Sequence, residues 1–147
     1  MFEKTLVAGW GDMDFNSHMR NTAYLDKAVD VRMMFFAGQG FPMAKFVELR
    51  FGPVVMRDEV DYYREVGLLE PLRGTLALAG LADDGSRFTL RNEFFVADGK
   101  IAARVTSTGG WLDLAARRLI AAPGPVLAAL RALSPTADFQ TLKSSLR

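Results

Sequence analysis

Two Asp-Gly pairs, Asp84-Gly85 and Asp98-Gly99, each sit between runs that alternate apolar and polar residues. In the run 87–97, Phe88, Leu90, Phe94 and Val96 fall on one side, and Arg87, Thr89, Arg91 and Glu93 on the other. A period of two is that of a half-buried strand. Asp-Gly supplies the positive φ angles of a two-residue type I′ turn. The runs 73–82, 87–97 and 100–114 therefore predict consecutive hairpins, an antiparallel meander with one packed and one solvated face.

Upstream the period changes. Residues 21–37 predict a long helix, with Asn21 as N-cap and Gly38-Gln-Gly40 followed by Pro42 as the stop. Tyr24, Ala28, Val31 and Phe35 share one face, while Met33 to Ala37 is apolar all round and predicts a second half enclosed by protein. Residues 3–10 predict a first strand, and FVELRF (46–51) and residues 54–66 read as strand, with Pro53 at a break or edge. A single long helix ahead of a meander gives an α+β fold with the helix against the apolar sheet face. Residues 122–133 predict a short last helix, closing a single domain over 1–133; residues 134–147 read as a loose polar tail.

Composition narrows the chemistry. Half of the 147 residues are apolar, enough for one domain with a core, and the net charge of +1 comes without a basic block that would track nucleic acid. There is no cysteine and one histidine, so disulfides, thiolate nucleophiles and multi-histidine metal sites are outside its reach. No loop resembles an EF-hand, and no metal or cofactor is expected. The N-terminus lacks the pattern of a signal peptide and no apolar run approaches a membrane span, so the expectation is a cytoplasmic protein without membrane contact.

The single histidine lies in WGDMDFNSHMRNTAY, residues 10–24, with Asp12 and Asp14 close by. On local pattern alone, Asp14 reads as a turn or capping carboxylate. Asp12 reads as structural, bonded to loop backbone. His18 reads as a hydrogen-bonded wedge ahead of a general base, Asn21 as a cap ahead of a substrate-orienting amide, and Tyr24 as packing. Asp30 and Arg32, two apart, face different ways and are expected to pair elsewhere. Asp58 and Glu59 read as surface or interface charges.

The order of elements, taken with four sequence pieces, resembles the hotdog-fold thioesterases of the 4-hydroxybenzoyl-CoA thioesterase type. The pieces are Trp10-Gly-Asp12-Met-Asp14 with His18, Asn21 and Tyr24; Asp30-Val-Arg32; Arg57 to Tyr62; and Trp111-Leu-Asp113 with Arg117-Arg118. The likeness covers about residues 5–133. It implies an antiparallel sheet wrapped around one long central helix, hydrolysis of an acyl-CoA or acyl-carrier-protein thioester, and homodimers or homotetramers with active sites at subunit interfaces. It implies Asp14 as the catalytic carboxylate, with His18 and Asn21 beside it and Tyr24 toward substrate. Many members have asparagine where this chain has Arg20, which makes Arg20 a candidate contact for a substrate phosphate or carboxylate.

The chemistry is self-sufficient. A thioester has a good leaving group, and a carboxylate at the mouth of a helix can activate water or attack the carbonyl itself. Free N–H groups of the helix terminus can hold the oxyanion. Two other classes compete. Asp14 with His18 also suits a hotdog-fold enoyl-thioester hydratase or dehydratase, and the same fold without turnover would be an acyl-CoA-binding module. Serine-hydrolase chemistry is disfavoured, because there is no G-x-S-x-G elbow and Ser17 adjoins His18 in sequence.

Overall fold

The computed structural model describes residues 1–146. In chain order they form β1 (Phe2–Val7), a 3-10 turn (Trp10–Asp12), α1 (Ala23–Gly38), α2 (Met43–Leu49), β2 (Phe51–Tyr62), β3 (Pro71–Ala82), β4 (Arg87–Phe95), β5 (Ile101–Asp113), β6 (Arg118–Ile120), α3 (Gly124–Ala132) and β7 (Pro135–Leu142). The seven strands make one sheet along β1-β3-β4-β5-β2, with β6 beside β5 and β7 beside β3. All pairs are antiparallel except β3–β7.

The meander β3-β4-β5 follows the period-two reading. Phe88, Leu90 and Phe94 are buried, while the residues between them are half-exposed. Asn92 is the polar member of the buried row, its Nδ2 donating to Thr75 O at 3.0 Å across the β3–β4 pair. The turns differ from the type I′ expectation. Only the glycines take positive φ, 72° at Gly85 and 83° at Gly99. Each aspartate instead accepts the N–H two residues on, Asp84 from Ser86 at 2.9 Å and Asp98 from Lys100 at 2.8 Å. These are Asx turns, with four residues (83–86) between β3 and β4 and five (96–100) between β4 and β5 rather than two.

Helix α1 buries Tyr24, Ala28, Val31 and Phe35 as read from its spacing. Its ring contacts reach β1 (Phe2–Phe35, 5.2 Å), β4 (Tyr24–Phe94, 6.3 Å) and β5 (Phe36–Trp111, 5.8 Å), so it lies against the sheet. It begins two residues later than expected. Thr22, already helical, is the N-cap, no side chain caps the terminus, and Asn21 is outside. Its end is a Schellman motif: Phe41 N–H donates to Phe36 O at 2.8 Å and Gly40 N–H to Ala37 O at 3.1 Å, with Gly40 at φ 89°. The enclosed second half is corrected too. Met34 is 40% exposed and Ala37 is exposed, because they lie on the side turned from the sheet.

Two other expectations change. FVELRF is not strand: Met43–Leu49 is α2, opened by Pro42 and stopped by Arg50 in the left-handed region at φ 58°. Val47 and Leu49 are exposed, which made the run look like alternation; the residue that matters is Phe46, stacked on Trp111 at 6.2 Å. Residues 134–142 are not loose. Strand β7 covers the outer edge of β3 at Leu78–Ala82, beyond the part covered by β1, and Arg91 grips Asp138 with two hydrogen bonds of 2.8 and 3.1 Å. That pair holds the Asp138 carboxyl well below the usual range. Pro53 lies in β2, an edge strand, where its missing N–H breaks no interior ladder. Strand β2 ends at Tyr62, and 63–66 lies outside it. Strand β1 likewise stops at Val7, giving way to the 3-10 turn rather than running to Trp10. No helix among the described residues is long and apolar enough to cross a membrane.

Candidate active site

The loop between β1 and α1 is held by its own polar groups. Asp12 Oδ2 accepts Gly9 N–H at 2.8 Å and pairs with Lys27 Nζ at 2.9 Å, tying the 3-10 turn to α1. Burial, the largest single influence, pushes the Asp12 carboxyl up. The Lys27 bond, the Gly9 N–H and the charges of Lys27 and Arg20 together outweigh it and leave the group below its ordinary value. Asp12 is thus structural, as read from sequence.

Residues 14–18 then make a tight reversal. Asp14 N–H donates to His18 O at 2.9 Å, Ser17 N–H to Asp14 O at 3.2 Å, and Ser17 takes φ 68°. Met13 and Met19 bridge across its base, and Met19 N–H donates to Val66 O at 2.8 Å, fastening the loop to the segment after β2. The reversal brings His18 Nδ1 to 3.8 Å from Asp14 Oδ2, while His18 Nε2 lies 3.8 Å from Glu65 Oε2. Asp14 Oδ1 accepts Asn16 N–H at 2.8 Å, leaving Oδ2 as the oxygen nearer the imidazole.

Asp14, His18, Asn21 and Tyr24 all line one cleft of about 390 Å³, together with Met19, Tyr62, Tyr63, Arg64 and Glu65. Four of the five candidate residues are therefore brought together. Tyr24 is buried, edge-on to Tyr62 at 5.4 Å. Burial first, then the neighbouring Tyr62 and Glu70, pushes its hydroxyl up to about 12, so it stays a neutral donor. Tyr62 O–H donates to Asn21 O at 2.9 Å and pins the start of the helix. Among the described residues the N–H groups of Asn21, Thr22 and Tyr24 donate no hydrogen bond, so the helix mouth keeps open donors beside this cleft.

Arg20 is the candidate that stands apart. It does not line the cleft; its guanidinium bonds Gly11 O and Thr22 Oγ1 (3.1 Å) and lies 3.7 Å from Asp26, bracing the loop against α1. Sequence reasoning missed Tyr62, Tyr63, Arg64 and Glu65, which it ran together as strand. Their signal was weak: two tyrosines and two charges where the alternation of β2 fails, a place where a chain turns from sheet to rim.

Asp14 also lines a second, neighbouring hollow with Trp10, Met13, Phe15, Ser17 and Leu68. Trp10 and Phe15 are 81% and 98% exposed, so the carboxylate stands between a polar cleft and an apolar surface. Deeper in the fold, Arg32 donates from Nε to Asn92 Oδ1 at 2.9 Å and from Nη2 to Ser107 Oγ at 2.6 Å, and Ser107 O–H donates in turn to Asp58. Arg32 thus pairs away from Asp30, as expected, and Asp58 is more than a surface charge, because one of its oxygens ends this network.

Comparison with known proteins agrees in fold. A Staphylococcus aureus protein solved in complex with CoA superposes with TM-score 0.81 at 21% identity, covering 95% of this chain and 89% of that one. A 1,4-dihydroxy-2-naphthoyl-CoA thioesterase from Synechocystis gives 0.80 at 15% identity, covering 90% and 96%. A gentisyl-coenzyme A thioesterase gives 0.78 at 16% identity, covering 87% and 98%. No curated protein matches significantly in sequence. The family model of the thioesterase-like superfamily matches residues 8–130, from the loop that carries Asp14 to the last helix, and the chain belongs to that superfamily.

Proposed function

We propose that this protein is a hotdog-fold thioester hydrolase, its sheet curved about α1, that cleaves acyl-CoA or acyl-carrier-protein thioesters with Asp14 as the catalytic carboxylate. The observation that carries the reading is the placement of Asp14 in one cleft with His18, Asn21 and Tyr24, beside open N–H groups at the mouth of α1. Membership of the thioesterase-like superfamily supports it, and two structural relatives are named as CoA thioesterases.

In the general-base route, Asp14 takes a proton from water as the water oxygen bonds to the carbonyl carbon. The oxyanion that forms is held by the helix N–H groups, a contribution of roughly 3–4 kcal/mol for a well-placed donor. Collapse breaks the C–S bond, and the proton passes from Asp14 to the departing thiolate. In the nucleophilic route the carboxylate oxygen bonds to the acyl carbon first and the C–S bond breaks, expelling the thiolate. Water then hydrolyses the mixed anhydride, restoring the Asp14 carboxylate and supplying the proton that the thiolate takes up. Single turnover in heavy-oxygen water separates the two, since label enters Asp14 only in the second, when water attacks the aspartyl carbonyl of the anhydride. His18, bridging Asp14 and Glu65, orients the carboxylate in either case, and Asn21 offers its amide to the substrate.

The same reading makes the protein a cytoplasmic homo-oligomer, dimer or tetramer. The outer edge of β2 pairs with no strand among the described residues, while Val29, Val55 and Met56 beside it are 42–46% exposed. Such an edge is relieved by pairing with a second copy. Sedimentation of a dilute sample tests this, and a strict monomer overturns it.

The deciding assay is thiol release across a panel of alkanoyl, aryl and enoyl CoA esters. Thiol release that depends on Asp14 is the expected result. Hydration of enoyl-CoA without free thiol would make the protein a hydratase, and tight binding without any turnover would make it a binding module.

A further inference from the structure

Along the same helix and strand that frame the cleft lies a second, more enclosed cavity. It holds about 220 Å³ and is lined by Val29, Arg32, Met33, Phe36, Pro53, Val55, Phe88 and Leu90. Tyr24 and Tyr62 belong to the cleft, whereas Arg32 and Val55 belong to the cavity. Eight residues of α1 separate Tyr24 from Arg32, a rise of about 12 Å.

Seven of the eight lining residues are apolar, and the eighth is a guanidinium. Arg32 is only 6% exposed and makes no direct ion pair among the described residues; Asp58 is reached only through the Ser107 hydroxyl. Nε and Nη2 are taken by Asn92 and Ser107, but Nη1 donates to nothing, nor does it belong with the fully buried unpartnered atoms, which are Trp111 Nε1 and Thr136 Oγ1. A buried cation is costly unless an anion or several acceptors meet it. Burial accordingly depresses the Arg32 guanidinium to about 10, with Asp58 opposing the shift. Asn92 and Ser107 hold two of the three guanidinium nitrogens of a residue that lines the cavity, and Nη1 is the one left over.

We infer that this cavity receives the far end of the acyl group, and that Arg32 Nη1 there recognises a terminal carboxylate, making medium-chain ω-carboxyacyl thioesters the preferred substrate class. The inference rests on the hydrolase reading for its turnover, but not for its binding. An alkanoyl chain of equal length fills the same apolar walls yet leaves Nη1 without an acceptor, whereas the carboxylate supplies the direct counter-ion that Arg32 lacks.

Two measurements test it. Calorimetry compares octanedioate with octanoate on the wild-type protein, and thiol release compares octanedioyl-CoA with octanoyl-CoA. The dioate and its ester are expected to be favoured roughly 10- to 100-fold, mainly in KM, as for a hydrogen bond to a charged group. Arg32→Gln should bring the ratio of the two kcat/KM values close to one, and Arg32→Lys should retain part of the preference. A purely structural role for Arg32 would lower both rates together and leave the ratio unchanged. Should Arg32→Gln fail to fold, Val55→Phe, at a half-exposed position of the edge strand and checked by sedimentation for an unchanged oligomeric state, fills the cavity and should abolish octanedioate binding. Equal binding of the two acids, equal kcat/KM for the two esters, or octanedioate binding indifferent to Val55→Phe overturns the assignment. Octanedioate binding without thiol release from any ester would overturn the hydrolase reading and leave the cavity assignment standing; thiol release without preference would do the reverse.

Discussion

Asp14 and His18 close the same turn twice: the Asp14 N–H donates to the His18 carbonyl at 2.9 Å, and the imidazole Nδ1 lies 3.8 Å from the Asp14 carboxylate. The backbone bond makes the side-chain geometry a property of the loop rather than of two free rotamers. The imidazole, its Nδ1 also 3.3 Å from Met19 O, thus sits beside a carboxylate whose other oxygen is already tied to Asn16 N–H.

Asp14→Asn keeps an acceptor for Asn16 N–H but removes the proposed catalytic carboxylate. It should lower kcat by roughly 100- to 10,000-fold with little change in melting temperature. Thiol release and a thermal melt, run side by side, check both halves. A near-normal rate in a folded variant would remove Asp14 from the mechanism.

Tyr24 predicts alkaline sensitivity. Its folded value, about 12, exceeds the ordinary 10.0, so below 10 the hydroxyl is neutral in both states and its contribution is fully present. As pH rises from 10 toward 12 the unfolded chain ionises first, and stability of up to about 2 kcal/mol is lost. Urea unfolding at successive pH values should show a shallower alkaline loss in Tyr24→Phe than in wild type. Equal slopes would contradict the burial-driven shift.

Lys27→Met should uncouple the 3-10 turn from α1. Asp12 then keeps only the Gly9 N–H among its close partners, at a cost of about 1–3 kcal/mol. Because the folded Asp12 value is depressed, its contribution is present above the ordinary 3.8 and lost as pH falls through the folded value. The deficit of the variant, measured by urea unfolding, should therefore shrink in acid.

Among the glycines, Gly109 leaves the least room for a side chain. A Cβ there would collide with the Val54 carbonyl and sit 3.0 Å from the Phe88 ring, just where the β2–β5 register shifts between Val55 and Arg57. Gly109→Ala should cost about 1–3 kcal/mol, read as a lower denaturant midpoint. The exposed Gly99→Asn is the control at a positive-φ turn position with open space around it, and it should cost less.

How much was legible varied with the range of the interactions. The β4 alternation around Phe88, Leu90 and Phe94, and the α1 face of Tyr24 and Phe35, are short-period patterns set by neighbours on one element, and they could be read directly. Strand β7 could not. Residues 135–142 are polar, and they are ordered by the bare edge of β3 and by Arg91, both far away in sequence. Helix α2 was hidden for a similar reason, since the ring that Phe46 stacks on, Trp111, belongs to β5.

The candidate site divides in the same way. Asp14, His18, Asn21 and Tyr24 lie within eleven residues, so a single loop and helix start carry them, and the order of residue types was enough to single them out. That Arg20 turns aside to brace Gly11, that Tyr62 to Glu65 form the opposite wall, and that Arg32 lines an apolar cavity were tertiary outcomes. Local sequence determines which groups a loop carries and how a helix or strand spaces them. Which of those groups face open space is decided only when distant strands cover the rest, because burial and hydrogen-bond satisfaction belong to the assembled sheet and helix and not to any segment alone.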